Sequence, residues 1–259
     1  MDSGLPTLYR PGDSWLHRRH PLTKLAYAAS LAVAGFAAPW PAAAWFLLGA
    51  LTLPLAAWAR LARPLGRALL WSLAPLAAAL LIIHGLFNPA NHTILASWGE
   101  LTLGQEGLIY ALATLGRLAG ALGASLLCLY TTPPGDLMTA LQQRGLPAGL
   151  AYVLISTLQL LPLMRRRAQA ILAAQQARGL RLEGNLLIRA RALLPAVIPL
   201  VVGALLDVEE RALALESRGF SRPGPRTSLQ AVPDTALDRS LRWALAAGAL
   251  VTLVWRWWP

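Results

Sequence analysis

The sequence predicts an all-α integral membrane protein, and three observations carry that prediction. Hydrophobic residues fill 56% of the 259 positions. Charged residues fill 14%, against roughly 25% in a soluble domain. Several apolar stretches approach the ~20 residues that cross a ~30 Å hydrocarbon core. A single-chain β-barrel would alternate apolar and polar residues in segments of about ten, which this chain does not do. The expectation is about five transmembrane helices, or up to seven if two interrupted stretches also cross. A cytoplasmic module of amphipathic helices completes the architecture.

Residues 22–38 form the first expected span. Both prolines of Ala38-Pro39-Trp40-Pro41 oppose helix continuation and make a short uncharged turn. Residues 42–59 return as the second span, and Arg60, Arg63 and Arg67 follow at helical spacing on one face of a helix leaving the membrane. Residues 69–87 form a third span, residues 88–104 a polar loop with Glu100 and no Lys or Arg, and residues 107–130 a fourth span. Basic segments precede span one and follow spans two and four, while the loops after spans one and three lack Lys and Arg. The positive-inside rule then puts the N-terminus in the cytoplasm. Trp15, Trp40, Trp45, Trp58 and Trp71 fall near span ends, where amphipathic rings settle at headgroup level. No secretory signal is expected, because the apolar run after Arg10, Arg18, Arg19 and Lys24 lacks a cleavage site.

The character changes after residue 130. Residues 131–226 carry 12 arginines against six acids, interleaved with apolar stretches at 147–164 and 186–206. Pro162 and Arg165-Arg166-Arg167 close the first stretch; Arg189, Arg191, Pro195 and Pro199 interrupt the second. An arginine at mid-bilayer costs at least ~2.5 kcal/mol on insertion scales. Amphipathic helices lying against the membrane and running over its cytoplasmic face are therefore expected. If both stretches crossed, the sidedness of the termini would not change. Residues 221–238, with Pro223, Gly224, Pro225 and Pro233, read as a loop. A last span covers 241–256, with Arg239 and Arg242 at its inner end and Trp255, Trp257 and Trp258 at its outer end. Three regions result: a four-span membrane region over 1–130, a cytoplasmic module over 131–238, and a C-terminal span over 239–259.

The net charge of +11 suits cytoplasm-facing basic loops better than nucleic acid, and no nucleic-acid partner is expected. The lone Cys128 lies in an apolar run and reads as a buried thiol. No phosphate loop of the Gly-x-x-x-x-Gly-Lys-Ser/Thr type is present, so the chain is not expected to bind ATP. His17, His20, His84 and His92 lack carboxylate or thiol company, so no metal site is expected. No catalytic constellation and no cofactor follow from the sequence. Arg117 stands inside span four. An intramembrane charge either serves a function in the bundle interior or bonds exposed carbonyls beside Gly116 and Gly120. Asp207 is spaced to share a helical face with Glu210 or Arg211, a structural role.

Three polar runs end in Arg-Gly plus a bulky apolar residue: Arg144-Gly145-Leu146, Arg178-Gly179-Leu180 and Arg218-Gly219-Phe220. The last two lie 40 residues apart and match best. Strong helix formers precede both. Gly179 and Gly219 then stand where a helix ends in a left-handed residue, and arginine in the last turn suits the helix dipole. That explains each residue separately. It does not explain two such ends in one apolar chain, each with a small neighbour, Ala177 or Ser217. A small neighbour frees the guanidinium to enter a groove on a partner, where its planar fork suits a carboxylate or carbonyl.

The chain resembles the transmembrane T component of energy-coupling factor (ECF) transporters, the cobalt- and vitamin-type T subunits. Leu16-His17-Arg18-Arg19-His20-Pro21-Leu22-Thr23-Lys24-Leu25 is similar to that family's opening motif Leu-His-x-x-Asp-Pro-x-Thr-Lys-Leu, with His20 in place of the acid. Gly104-Gln105-Glu106-Gly107-Leu108, Thr131-Thr132-Pro133-Pro134-Gly135-Asp136-Leu137 and Gly145-Leu146-Pro147 follow in order. Ala177-Arg178-Gly179 and Ser217-Arg218-Gly219 resemble the two Ala-Arg-Gly signatures, the second with Ser for Ala. The resemblance implies a multi-pass scaffold of the bacterial inner membrane, not an enzyme. Its amphipathic coupling helices would dock two ABC-type ATPase subunits through Arg178 and Arg218. A separate substrate-binding membrane (S) subunit would then reorient to take up a vitamin or transition-metal ion. The alternative is a stand-alone small carrier that uses Arg117 for an anionic solute.

Overall fold

The structure, a computed structural model, describes residues 8–88, 92–98, 101–180, 186–222 and 232–257, with backbone alone at 96–98, 101–102 and 186–196. Glu100, Trp258 and the turn residues Pro223, Gly224 and Pro225 lie outside the described residues, as do the side chains of Arg189 and Arg191. The chain forms two compact units. One comprises residues 8–145 with residues 230–259; the other comprises residues 146–229.

The larger unit begins with α1 (Pro21–Ala37), α2 (Ala43–Leu47), a π-helical turn (Leu48–Thr52) and α3 (Leu53–Trp58). It continues with α4 (Ala62–Phe87), a hairpin of β1 (Ile94–Trp98) and β2 (Leu101–Gly104), α5 (Gln105–Thr131) and α6 (Pro134–Gln142). It closes with α9 (Ala236–Trp257). The smaller unit is the pair α7 (Ala148–Ala177) and α8 (Leu186–Ser217). The all-α membrane architecture holds. Among the described residues, α4, α5 and α7 are long and apolar enough to cross a membrane, and α1 and the stretch from α2 to α3 are shorter apolar helices. Large apolar side chains such as Trp40, Trp71 and Phe87 lie exposed on the surface, where a bilayer would cover them.

Four local expectations change. The polar loop at 88–104 contains the antiparallel hairpin, pairing Trp98 with Leu101. The second span is broken by the π turn rather than running as one α-helix. Arg63 and Arg67 lie inside the same helix as the third span, since α4 starts at Ala62. Pro162 does not close α7, and Pro195 and Pro199 do not interrupt α8. A proline removes one hydrogen bond from a helix, and in helices of 30 and 32 residues the flanking turns outweigh that loss. Arginine is itself a good helix former, so the run at 165–167 continues α7.

Helix α5 is the spine of the larger unit, because its inner face carries small residues. Gly116, Gly120 and Gly123 are buried there, with Ala111, Ala113, Ala119 and Ala124. A side chain at Gly116 would meet the Trp45 ring at 2.6 Å, and one at Gly123 would meet Leu48 at 3.0 Å. Such faces let helices approach closely where lipid offers no hydrophobic drive. The Trp45 indole lies on this face and donates to the Leu112 carbonyl at 2.9 Å. Leu48, Leu61, Leu65, Leu69 and Leu127 form the apolar core beside it.

Polar ties close the ends. The buried Lys24 ammonium donates to the carbonyls of Thr131 (2.7 Å) and His17 (3.0 Å), fastening α1 to the end of α5. The His20 Nδ1 caps α1 by accepting from the Leu22 N–H at 3.2 Å. Thr235 caps α9: its Oγ1 accepts from the Asp238 N–H at 3.2 Å and donates to the Asp238 carboxylate. The Asp238 carboxylate in turn accepts from the His20 N–H at 3.4 Å. Arg242 and Arg144 both pair with Asp234, at 2.7 and 3.2 Å, and the bond from Arg242 holds the Asp234 carboxyl below its usual range.

Burial pushes the His20 imidazole below its ordinary value, with Arg242 and Arg144 opposing protonation and Asp234 and Asp238 favouring it. Since its folded value is depressed, its contribution is present above the unfolded value of about 6.5 and is lost as pH falls through the folded value. Protonation also removes the lone pair that caps Leu22. The expected outcome is an apparent melting temperature in detergent that falls as the pH drops below about 6.5. His20→Asn, a cap that does not titrate, flattens that dependence.

Candidate functional site

The candidate site comprises the C-terminal ends of α7 and α8, which are built alike. Gly179 and Gly219 adopt left-handed φ of +95° and +71°. At the end of α7 the Leu180 N–H reaches the Gln175 carbonyl at 3.0 Å and the Gly179 N–H reaches the Gln176 carbonyl at 2.9 Å. At the end of α8 the Phe220 N–H reaches Leu215 and the Gly219 N–H reaches Glu216, both at 2.9 Å. These are two Schellman motifs with the same bonding pattern. Glycine is required because the left-handed region is costly for a residue with a Cβ. Arg178 and Arg218 occupy the equivalent position, one residue before the glycine.

Their surroundings match as well. Ala177, Arg178 and Gly179 are exposed, and so are Ser217, Arg218 and Gly219, while Leu180 and Phe220 are half-buried. The Phe220 ring lies 5.4 Å from that of Tyr152, anchoring the α8 end within its unit. Neither the Arg178 nor the Arg218 side chain forms a hydrogen bond or ion pair among the described residues. The third Arg-Gly end differs. Gly145 is also left-handed, at φ +101°, but Arg144 is engaged by Asp234 at 3.2 Å in the larger unit. Its guanidinium is occupied, and the two that remain on offer are those of Arg178 and Arg218.

Arg117 is half-buried on α5 and lines a pocket of about 350 Å³ with Pro39, Pro41, Glu106, Ile109, Tyr110 and Ala113. Its guanidinium forms no hydrogen bond or ion pair among the described residues. Glu106 on the same wall accepts from the Thr93 N–H and hydroxyl. A carboxylate there disfavours an anionic solute. No cluster of three or more His, Cys, Asp or Glu able to hold a metal occurs among the described residues.

Two arrangements were not legible beforehand. Asp207 pairs across to Arg167 on α7, Nη1 to Oδ2 at 2.5 Å and Nη2 to Oδ1 at 3.1 Å, rather than with Glu210 or Arg211 on its own helix. A two-pronged pair is stronger than an i,i+4 contact worth about 0.2–0.5 kcal/mol. The Asp238 network joins residues more than 200 apart in the chain, and no local pattern marks it.

A family model described as cobalt transport protein matches residues 12–229. The energy-coupling factor transporter transmembrane protein EcfT of Brevibacillus brevis is 31% identical over 96% of this chain and 96% of its own length. The protein of the same name from Leuconostoc gelidum is 29% identical over 96% and 95%. That from Acidaminococcus fermentans is 30% identical over 85% of each.

Proposed function

The chain belongs to the cobalt transport protein family, the transmembrane T components of energy-coupling factor transporters, and from that premise we propose that its paired helix ends are docking points for two ABC-type ATPase subunits. Arg178 and Arg218 each enter a groove of one ATPase, flanked by the small residues Ala177 and Ser217. The chain itself catalyses nothing; the partners hydrolyse ATP. The motion of the ATPases passes through α7 and α8 to a separate substrate-binding membrane subunit, which reorients to import a vitamin or a transition-metal ion. The protein sits in the bacterial inner membrane with its N-terminus and the 131–238 module on the cytoplasmic side, as its arginine distribution favours.

One observation carries this reading: two structurally equivalent helix ends, each presenting an exposed arginine whose guanidinium has no partner among the described residues. Driving a two-state equilibrium from 1:99 to 99:1 takes about 5.5 kcal/mol. Truncating a buried charge-assisted contact costs ~2–5 kcal/mol, so two arginine anchors can carry such a load. One surface ion pair at ~0–1 kcal/mol cannot. Purifying the tagged chain in mild detergent and identifying its companions by mass tests the proposal. Two ATPase chains and one small membrane protein are expected. A chain that purifies alone and binds solute supports the carrier reading with Arg117 instead.

The glycines give a finer test. Among the described residues no neighbour lies within 4 Å of a side chain placed at Gly179 or Gly219, so a substitution there acts chiefly through the backbone. Gly179→Val or Gly219→Val costs the left-handed end about 1–2 kcal/mol and displaces the arginine before it. The expected result is a 5- to 30-fold weaker association with the ATPases, the factor that ~1–2 kcal/mol represents, measured by titration in detergent.

A further inference from the structure

Helices α7 and α8 run antiparallel: Arg167 meets Asp207 about two-thirds of the way along each helix, and Tyr152 near the start of α7 meets Phe220 beyond the end of α8. Arg178 lies eleven residues beyond Arg167, and Arg218 eleven beyond Asp207. At the rise of an α-helix each arm is about 16 Å long. The arms point to opposite ends of the pair, so Arg167 and Asp207 sit at its midpoint.

The contact at that midpoint uses both prongs of the guanidinium. A planar fork on a carboxylate fixes the angle between two helices as well as their distance. Much of the apolar surface of α8 beside it is not packed on α7: Val197, Ile198, Val201, Val202, Leu205 and Leu206 are exposed. Close approach is possible because Gly203 faces the fork, with the position of its missing Cβ 3.9 Å from the Arg167 Nη1.

We infer that the Arg167–Asp207 pair is a clamp at the pivot of α7 and α8 that sets the separation at which Arg178 and Arg218 meet their two partners. The inference rests on the docking reading above. Both residues are positioning residues, touching neither ATPase nor substrate. With the clamp closed, displacement of one tip is transmitted to the other through a fixed crossing. With it open, the helices slide or scissor, and ATP is hydrolysed without moving the substrate-binding subunit.

The test uses the complete complex with spin labels at Gln176 and Glu216 on a Cys128→Ser background. Arg167→Ala and Asp207→Ala are expected to broaden the label-to-label distance distribution. They also lower substrate transported per ATP hydrolysed by about tenfold, while both ATPases still co-purify. The exchanged pair Arg167→Asp with Asp207→Arg restores a narrow distribution and the coupling ratio, as a double-mutant cycle requires of a direct interaction. An unchanged distribution and ratio in the single variants overturns the clamp, and so does failure of the exchanged pair to restore them. Loss of the ATPases from the wild-type complex defeats the docking reading instead, so the two failures are distinguishable.

Discussion

Arg178→Ala combined with Arg218→Ala is expected to abolish ATP-driven uptake while the chain still inserts and folds. Both side chains are exposed at helix ends and make no hydrogen bond or ion pair among the described residues, so their removal is expected to leave each of the two units folded. The Schellman bonds are made by backbone groups and by Gly179 and Gly219, which remain. What is lost is one charge-assisted contact per ATPase, each worth about 2–5 kcal/mol to truncate. Losses of that size lower the affinity of each partner by roughly 30- to 5,000-fold. A single variant keeps one anchor and is expected to retain residual association but little coupling. Uptake in cells, with membrane insertion checked by protease accessibility, reads the result. Normal uptake by the double variant sinks the proposed role of both residues.

Asp238→Ala is expected to have the largest effect on stability. Asp238 is 2% exposed. Its carboxylate accepts from the His20 N–H and the Thr235 hydroxyl, and it lies 4.0 Å from the Arg19 guanidinium. Truncation leaves the buried His20 N–H without its carboxylate acceptor and the Arg19 guanidinium without its nearby charge, and the Arg19 Nε has no partner among the described residues. A loss of about 3 kcal/mol follows, since an orphaned buried donor costs ~1–3 kcal/mol and more when charge is involved. Asp238→Asn keeps an acceptor oxygen and is expected to lose less. Apparent melting in detergent, followed by tryptophan fluorescence, ranks wild type above Asp238→Asn above Asp238→Ala. Equal melting of all three contradicts the assignment of this network as the tie between α1 and α9.

The parts of this protein that were legible in the sequence are those fixed by local chemistry. A left-handed glycine after a run of helix formers is a property of five or six neighbouring residues, and Gly145, Gly179 and Gly219 all adopt positive φ. Apolar length alone marked α4 and α5. Prolines misled, because Pro162, Pro195 and Pro199 sit inside helices long enough to absorb a missing hydrogen bond. The hairpin between α4 and α5 was missed because so short a pair of strands carries no period of its own. Ties between distant segments were invisible: Lys24 to Thr131, Asp238 to His20 and Arg167 to Asp207. Each is a polar group buried or half-buried by tertiary packing, and its partner is chosen by the fold. The same holds for Arg144, which has the local look of the other two arginine ends and is set apart only by Asp234.

The central claim is that the ends of α7 and α8 each contact an ATPase subunit. Photo-crosslinking side chains at Gln176 and Glu216, two residues before each arginine and exposed, test it most directly without touching Arg178 or Arg218. In the assembled complex each position is expected to yield a covalent product with an ATPase subunit, lost when the neighbouring arginine is replaced by alanine. Products with lipid or with the substrate-binding subunit alone, from either position, would contradict the account.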